Sequence, residues 1–176
     1  IKLQTYTADT ITIDCDNEYF RIGKGTIWEG RSLHELYKEA YTPWEWQPKL
    51  KEIANNLGMD LFSSPFDKTA VDFLEKMNVP AYKIASGDLT NVALLRHVAK
   101  LGKPMIVSTG GATMDDVVRA YRTIMPINPQ LCILQCTSGY PAEVEELNLK
   151  VIQSFRERFP DVVIGRPARP DEVGHG

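Results

Sequence analysis

From about residue 59 onward, the chain alternates between two hydrophobic periods. Short, nearly continuous apolar runs end in small polar residues. Each is followed by a segment whose apolar positions recur every three or four residues. The runs start near residues 59, 81, 104, 131 and 161, so they lie 22, 23, 27 and 30 residues apart. An alternating run at residues 1–6 adds a sixth predicted strand. Strands apolar on both faces predict a parallel sheet covered by helices.

Helix starts are marked by capping residues. Ser32 stands three before Glu35, the spacing of a capping box, and predicts a helix to residue 40. Thr42-Pro43 opens a second helix over 44–57, closed by Gly58. Asp67 caps a third, with Ala70, Val71, Phe73, Leu74 and Met77 on one face. A helix over 92–101 ends at Gly102, Thr113 caps the next, and the last runs over 147–159. Residues 7–30 carry no clear period and predict an irregular, functional or inserted loop.

A doubly wound open sheet and a (β/α)8 TIM barrel both fit this α/β rhythm. No Gly-x-Gly-x-x-Gly and no P-loop lysine follows a strand, which weakens the nucleotide-binding version. Polar residues gather instead at strand C-termini, where barrels carry their sites. About six of eight strands are present, so the expectation is a truncated barrel over 1–165, followed by a Pro/Gly-rich tail over 166–176. Because Ile1 stands where an initiator Met would be, the chain is expected to start inside a longer protein.

The 176 residues are 43% hydrophobic and 24% charged, ordinary for a soluble globular domain. A net charge of -3 and the lack of a basic, aromatic-interleaved stripe argue against nucleic acid. No apolar run reaches the roughly 18 residues of a membrane helix. Cys15, Cys132 and Cys136 are odd in number, and the last two fall within a predicted apolar strand. Reduced thiols in the cytoplasm are therefore expected, without a zinc site.

Lys83 is the one charged residue inside the apolar run at 81–85. An unpaired ammonium is costly away from water, so it must reach a strand mouth, a carboxylate or an anionic ligand. Ser86 and Asp88 follow it, and other strand ends offer Lys2, Gln4, Ser64, Ser108, Thr109, Thr137, Ser138 and Tyr140. Two ammonium groups among several hydroxyls suit a small phosphate or carboxylate substrate. His34 and His97 fall within predicted helices and read as surface or packing residues, and Tyr41, Trp44 and Trp46 as packing.

Six blocks resemble the sialic acid synthase family, including the N-acetylneuraminate and pseudaminic acid synthases. They are Lys2-Leu3-Gln4-Thr5-Tyr6, Tyr41-Thr42-Pro43-Trp44-Glu45-Trp46, Phe62-Ser63-Ser64-Pro65-Phe66-Asp67 and Tyr82-Lys83-Ile84-Ala85-Ser86. Lys103-Pro104-Met105-Ile106-Val107-Ser108-Thr109-Gly110 and Leu134-Gln135-Cys136-Thr137-Ser138-Gly139-Tyr140-Pro141 complete the set, in order and in register. The resemblance implies a barrel enzyme that joins phosphoenolpyruvate to an open-chain N-acyl amino sugar and releases phosphate. The acceptor would be N-acetylmannosamine or a related 6-deoxy diacetamido sugar, and the enzyme a homodimer.

By that resemblance, Lys2, Ser64, Lys83, Ser86 and Ser108 hold phosphoenolpyruvate, while Gln4, Ser138 and Tyr140 face the sugar. Lys83 and Asp88 are the candidate catalytic residues, with Asp88 standing where many members have Glu. The family also implies a divalent metal, Mn²⁺ or Mg²⁺, whose ligands this chain lacks. The first-strand Glu is absent, and Arg166-Pro167-Ala168 replaces the Ser-Asp-His that follows Gly165 in the family. The chain as given is therefore expected to be an incomplete fragment with negligible synthase activity. Two other readings are a Schiff-base aldolase using Lys83 and an inactive, anion-binding partial barrel.

Overall fold

Helices begin at the residues whose side chains reach back to unpaired N–H groups. In the computed structural model, which describes residues 1–25, 27–138 and 144–167, Ser32 accepts from the Glu35 N–H, and the Glu35 carboxylate accepts from the Ser32 N–H. This is the capping box that the spacing predicts. Asp67 accepts from Thr69 and Ala70, Asn91 from Leu94, and Thr113 from Asp116. Gly58 and Gly102 take φ of +72° and +69° just past two helices, where a Cβ would be strained.

The chain divides into two units, Ile1–Pro80 and the residues from Ala81 onward. The first holds β1 (Lys2–Thr5), α1 (Ala8–Ile11), α2 (Leu33–Ala40), α3 (Gln47–Asn56), β2 (Phe62–Pro65) and α4 (Lys68–Lys76). Strands β1 and β2 run parallel, with Lys2 opposite Phe62 and Gln4 opposite Ser64. Behind this ladder, Thr5 and Ser63 place their hydroxyl oxygens 2.7 Å apart, and Thr5 donates to Gln47 Oε1 at 2.8 Å. All three residues are buried. Such a network holds strand register, because a slip would strand its donors in an apolar interior.

The second unit holds β3 (Tyr82–Ile84), α5 (Val92–Ala99), β4 (Met105–Ser108), α6 (Met114–Ile124), β5 (Leu131–Leu134), α7 (Val151–Arg158) and β6 (Val163–Gly165). These four strands pair in chain order, all parallel. Their registers make rows: Tyr82–Met105–Leu131, then Lys83–Ile106–Cys132–Val163, then Ile84–Val107–Ile133–Ile164. A final row joins Ser108, Leu134 and Gly165. Successive rows face opposite sides of the sheet.

Tyr82, Ile84, Met105, Val107, Leu131 and Ile133 are buried. Val107, Leu131 and Ile133 meet Val117, Ala120 and Ile124 of α6 around a gap too narrow for water. Each such side chain contributes about 1.5–3 kcal/mol by leaving water. The other rows differ. Lys83, Ile106, Cys132 and Leu134 are only half-buried, and Val163 is 67% exposed. The sheet is thus parallel and helix-covered, as expected: helices close one face, and the Lys83 row on the other lies partly open.

Other departures have local causes. The supposedly irregular 7–30 stretch contains α1 and an antiparallel bridge between Arg21 and Ser32. The helix predicted from residue 44 begins as a 3-10 turn, Trp44–Trp46, and becomes α-helical only at Gln47. Pro48 explains this, since it fits a helix's first turn but would remove an interior hydrogen bond from a helix begun at 44. The helix predicted from 147 starts at Val151 because Asn148 takes φ of +47°. Strand β5 stops at Leu134, so Cys136 lies beyond it and not within an apolar strand. No helix among the described residues is long and apolar enough to cross a membrane.

Candidate functional site

The side chain of Lys83 turns back toward the strand ends. Its ammonium donates to Ile84 O at 2.8 Å and to Ser108 Oγ in a short contact. Ser108 is 5% exposed and also receives the Cys136 thiol at 3.2 Å. One loop further, the Gly110 N–H donates to Ser86 Oγ at 3.0 Å. A Cβ on Gly110 would lie 3.0 Å from Ser86 Oγ and 3.2 Å from Ser138 Oγ, so three loops converge on a glycine where a side chain would press on two hydroxyls. Lys83, Ser86, Ser108 and Ser138 are thereby brought to the same end of the second unit. A cation beside hydroxyls, one of them oriented by the Gly110 N–H, supplies both charge and directed donors to an anion.

Ser86, Gly87 and Asp88 form a 3-10 turn at the end of β3. Burial pushes the Asp88 carboxyl above its ordinary range, against a smaller opposing effect of a hydrogen bond with Asn91. The carboxyl so poised holds a proton more readily than a surface aspartate does. Burial likewise pushes the Cys132 thiol up, while the nearby charge of Lys83, on the same row of the sheet, pulls it down.

A groove of about 800 Å³ opens at this end, lined among others by Thr109, Gln135, Cys136, Thr137, Ser138 and Glu146. Its volume suits a small-molecule ligand. Gly110, Cys136, Gln135 and Glu146 carry no predicted role from sequence. Gly110 reads there only as a strand break, Gln135 and Cys136 as part of the strand that starts near 131, and nothing singles out Glu146.

In the first unit, Lys2 and Gln4 are exposed and Ser64 is buried, all on one face of the β1–β2 ladder. Tyr140 and His175 lie outside the described residues. His34 is the packing alternative of the two: it is buried, with Nε2 2.7 Å from Asp9 Oδ1 and Nδ1 3.5 Å from Asp14 Oδ1. Trp44 packs as expected, donating from Nε1 to Tyr6 O and stacking near Phe73, whereas Trp46 is 60% exposed. Among the described residues, no group of three or more His, Cys, Asp or Glu is placed to hold a metal ion.

The NeuB family model matches residues 1–166. The chain is 46% identical over 160 residues to the pseudaminic acid synthase of Campylobacter jejuni, covering 90% of this chain and 46% of that one. It is 39% identical over 132 residues to the N-acetylneuraminate-9-phosphate synthase of Homo sapiens, covering 75% and 34%. Among solved structures, the spore coat polysaccharide biosynthesis protein SpsE of Bacillus subtilis matches with a TM-score of 0.75 at 33% identity, covering 94% and 43%. The N-acetylneuraminic acid synthetase of Leptospira borgpetersenii matches with a TM-score of 0.72 at 28% identity, covering 76% and 46%. The chain thus spans less than half the length of these relatives. Of the two architectures that fit the strand rhythm, their parallel α/β barrel is the one that the polar strand ends and the resemblance favour. The chain belongs to the NeuB family.

Proposed function

We propose that this chain is part of a synthase that condenses phosphoenolpyruvate with an N-acyl amino sugar to give a nine-carbon sugar acid and phosphate. In this reading, Lys83, Ser86 and Ser108 hold the anionic groups of phosphoenolpyruvate. The observation that carries it is the Lys83 ammonium turned onto Ser108 Oγ at the strand ends, beside the Gly110 N–H and the Ser86 hydroxyl. Kinship with pseudaminic acid and N-acetylneuraminate-9-phosphate synthases supports the reaction class. Ser138, at the adjoining groove, faces the sugar, and Asp88, held toward its protonated form by burial, is the candidate proton carrier. The roles of Lys2, Gln4, Ser64 and Tyr140, the divalent metal and a homodimer rest on family resemblance alone.

The test is calorimetric titration of wild type and Lys83→Met with phosphoenolpyruvate. Methionine keeps the stem's volume and removes the charge. Charge-assisted hydrogen bonds are worth roughly 1.5–3 kcal/mol each, so affinity should fall about ten- to a hundredfold. Equal affinities would end the reading.

A further inference from the structure

On the outer surface of the second unit, α5 and α6 leave a groove of about 690 Å³ that plays no part in the strand-end cluster. Three arginines line it: Arg96 from α5, and Arg119 and Arg122 from α6. Asp115, Val118, Arg119 and Arg122 recur at helical spacing, so they share one face of α6. The opposite face, with Val117, Ala120 and Ile124, is buried.

The charge in the groove is poorly balanced. Asp116 reaches Arg119 at 3.7 Å, but its carboxylate already caps α6 through Thr113. Among the described residues, Arg96 and Arg122 have no hydrogen-bond or ion-pair partner, and both are exposed. Asp115 is the one carboxylate in the lining, set against three guanidinium groups, in a chain whose net charge is -3. Like charges one turn apart on a helix repel, which an anion between them would reverse. No lysine lines the groove, only arginine, whose planar fork matches phosphate oxygens two at a time. Val118 and Ile127 add apolar surface beside the cations, Ile127 being 41% exposed.

We propose that this α5–α6 groove is a second anion site that takes a phosphate-bearing small molecule, with Arg96, Arg119 and Arg122 gripping the phosphate and Val118 and Ile127 meeting the remainder. The volume is that of a small-ligand site, and it stands apart from the residues assigned to phosphoenolpyruvate.

Pyrophosphate is the probe, titrated calorimetrically into the intact protein at about 0.15 M salt, where weak surface attraction is screened. All measurements use the Lys83→Met background, which silences the strand-end cluster. That protein should bind pyrophosphate, and adding Arg96→Gln and Arg122→Gln should weaken binding at least about tenfold. Unchanged thermal melting would show that the exposed substitutions leave the fold intact. Arg96→Lys with Arg122→Lys, which keeps charge but loses the fork, should restore only part of the affinity. Equal binding with and without Arg96 and Arg122, or no binding in the Lys83→Met background, overturns the proposal. Tighter binding of a hexaglutamate peptide than of pyrophosphate would overturn it in favour of an acidic protein segment. Because phosphoenolpyruvate binding is compared between wild type and Lys83→Met, failure of either site is read independently.

Discussion

The Ser86 hydroxyl is held by the backbone N–H of Gly110, 3.0 Å away, so one strand-end loop is pinned by the next. Position 110 has no side chain, and a Cβ there would press on both Ser86 and Ser138. Gly110 is not in the left-handed region, so alanine meets no backbone penalty and acts only through that contact. Gly110→Ala should therefore weaken phosphoenolpyruvate binding by about tenfold while leaving thermal melting nearly unchanged. Wild-type affinity in the variant would show that the three loops need not converge.

Asp88 gives a pH signature. Burial raises its folded pKa above the reference of 3.8, so the proton is held more tightly in the folded chain. Its contribution to stability is fully present below 3.8 and is lost as pH rises through the raised folded value. Asp88→Asn cannot ionise and escapes that loss. Melting temperature, variant minus wild type, should climb as pH rises above the reference of 3.8. A flat difference would mean that Asp88 ionises as easily folded as unfolded.

The buried network behind β1 and β2 predicts two unequal substitutions. Thr5→Val removes the hydroxyl shared by Ser63 and Gln47, leaving buried polar groups unpaired at a cost of about 1–3 kcal/mol. Gln47→Met should cost less, because it also removes Gln47 Nε2, which has no hydrogen-bond partner among the described residues. Urea denaturation ranks the pair, and a more damaging Gln47→Met would refute this account.

Cys132 reports on the charge of Lys83. Burial makes its thiolate scarce, and the lysine partly reverses that. Alkylation by iodoacetamide, followed peptide by peptide in a mass spectrometer, should be slow at Cys132 and slower by several-fold in Lys83→Met. An unchanged or faster rate would mean that the two side chains do not feel each other.

Much of this architecture is legible in residue types. Ser32, Asp67 and Thr113 advertise helix starts because a cap needs a particular acceptor at a particular offset. Lys83 stands out because a lone charge in an apolar run has few places to go. What escapes the sequence depends on partners distant along the chain. The sequence leaves His34 as either a surface or a packing residue, and only the fold shows it buried, with Asp9 and Asp14 beside its ring. Cys136 reads as a strand residue until β5 ends two positions earlier and its thiol meets Ser108. The half-open sheet face is equally hidden, since apolar residues alternate there with others just as apolar.

The alternating rows of the second unit bear on how such a protein drifts over generations. Tyr82, Ile84, Val107 and Ile133 carry the folding energy on one side of the sheet, while Lys83 and Ser108 reach the strand ends from the other. A lineage exchanging Ser86 or Ser138 for another small polar residue would alter what is held at the strand ends, yet leave the helix-packed side untouched. Selection for a new ligand at the strand ends and selection for a folded chain would then act on separate sets of positions.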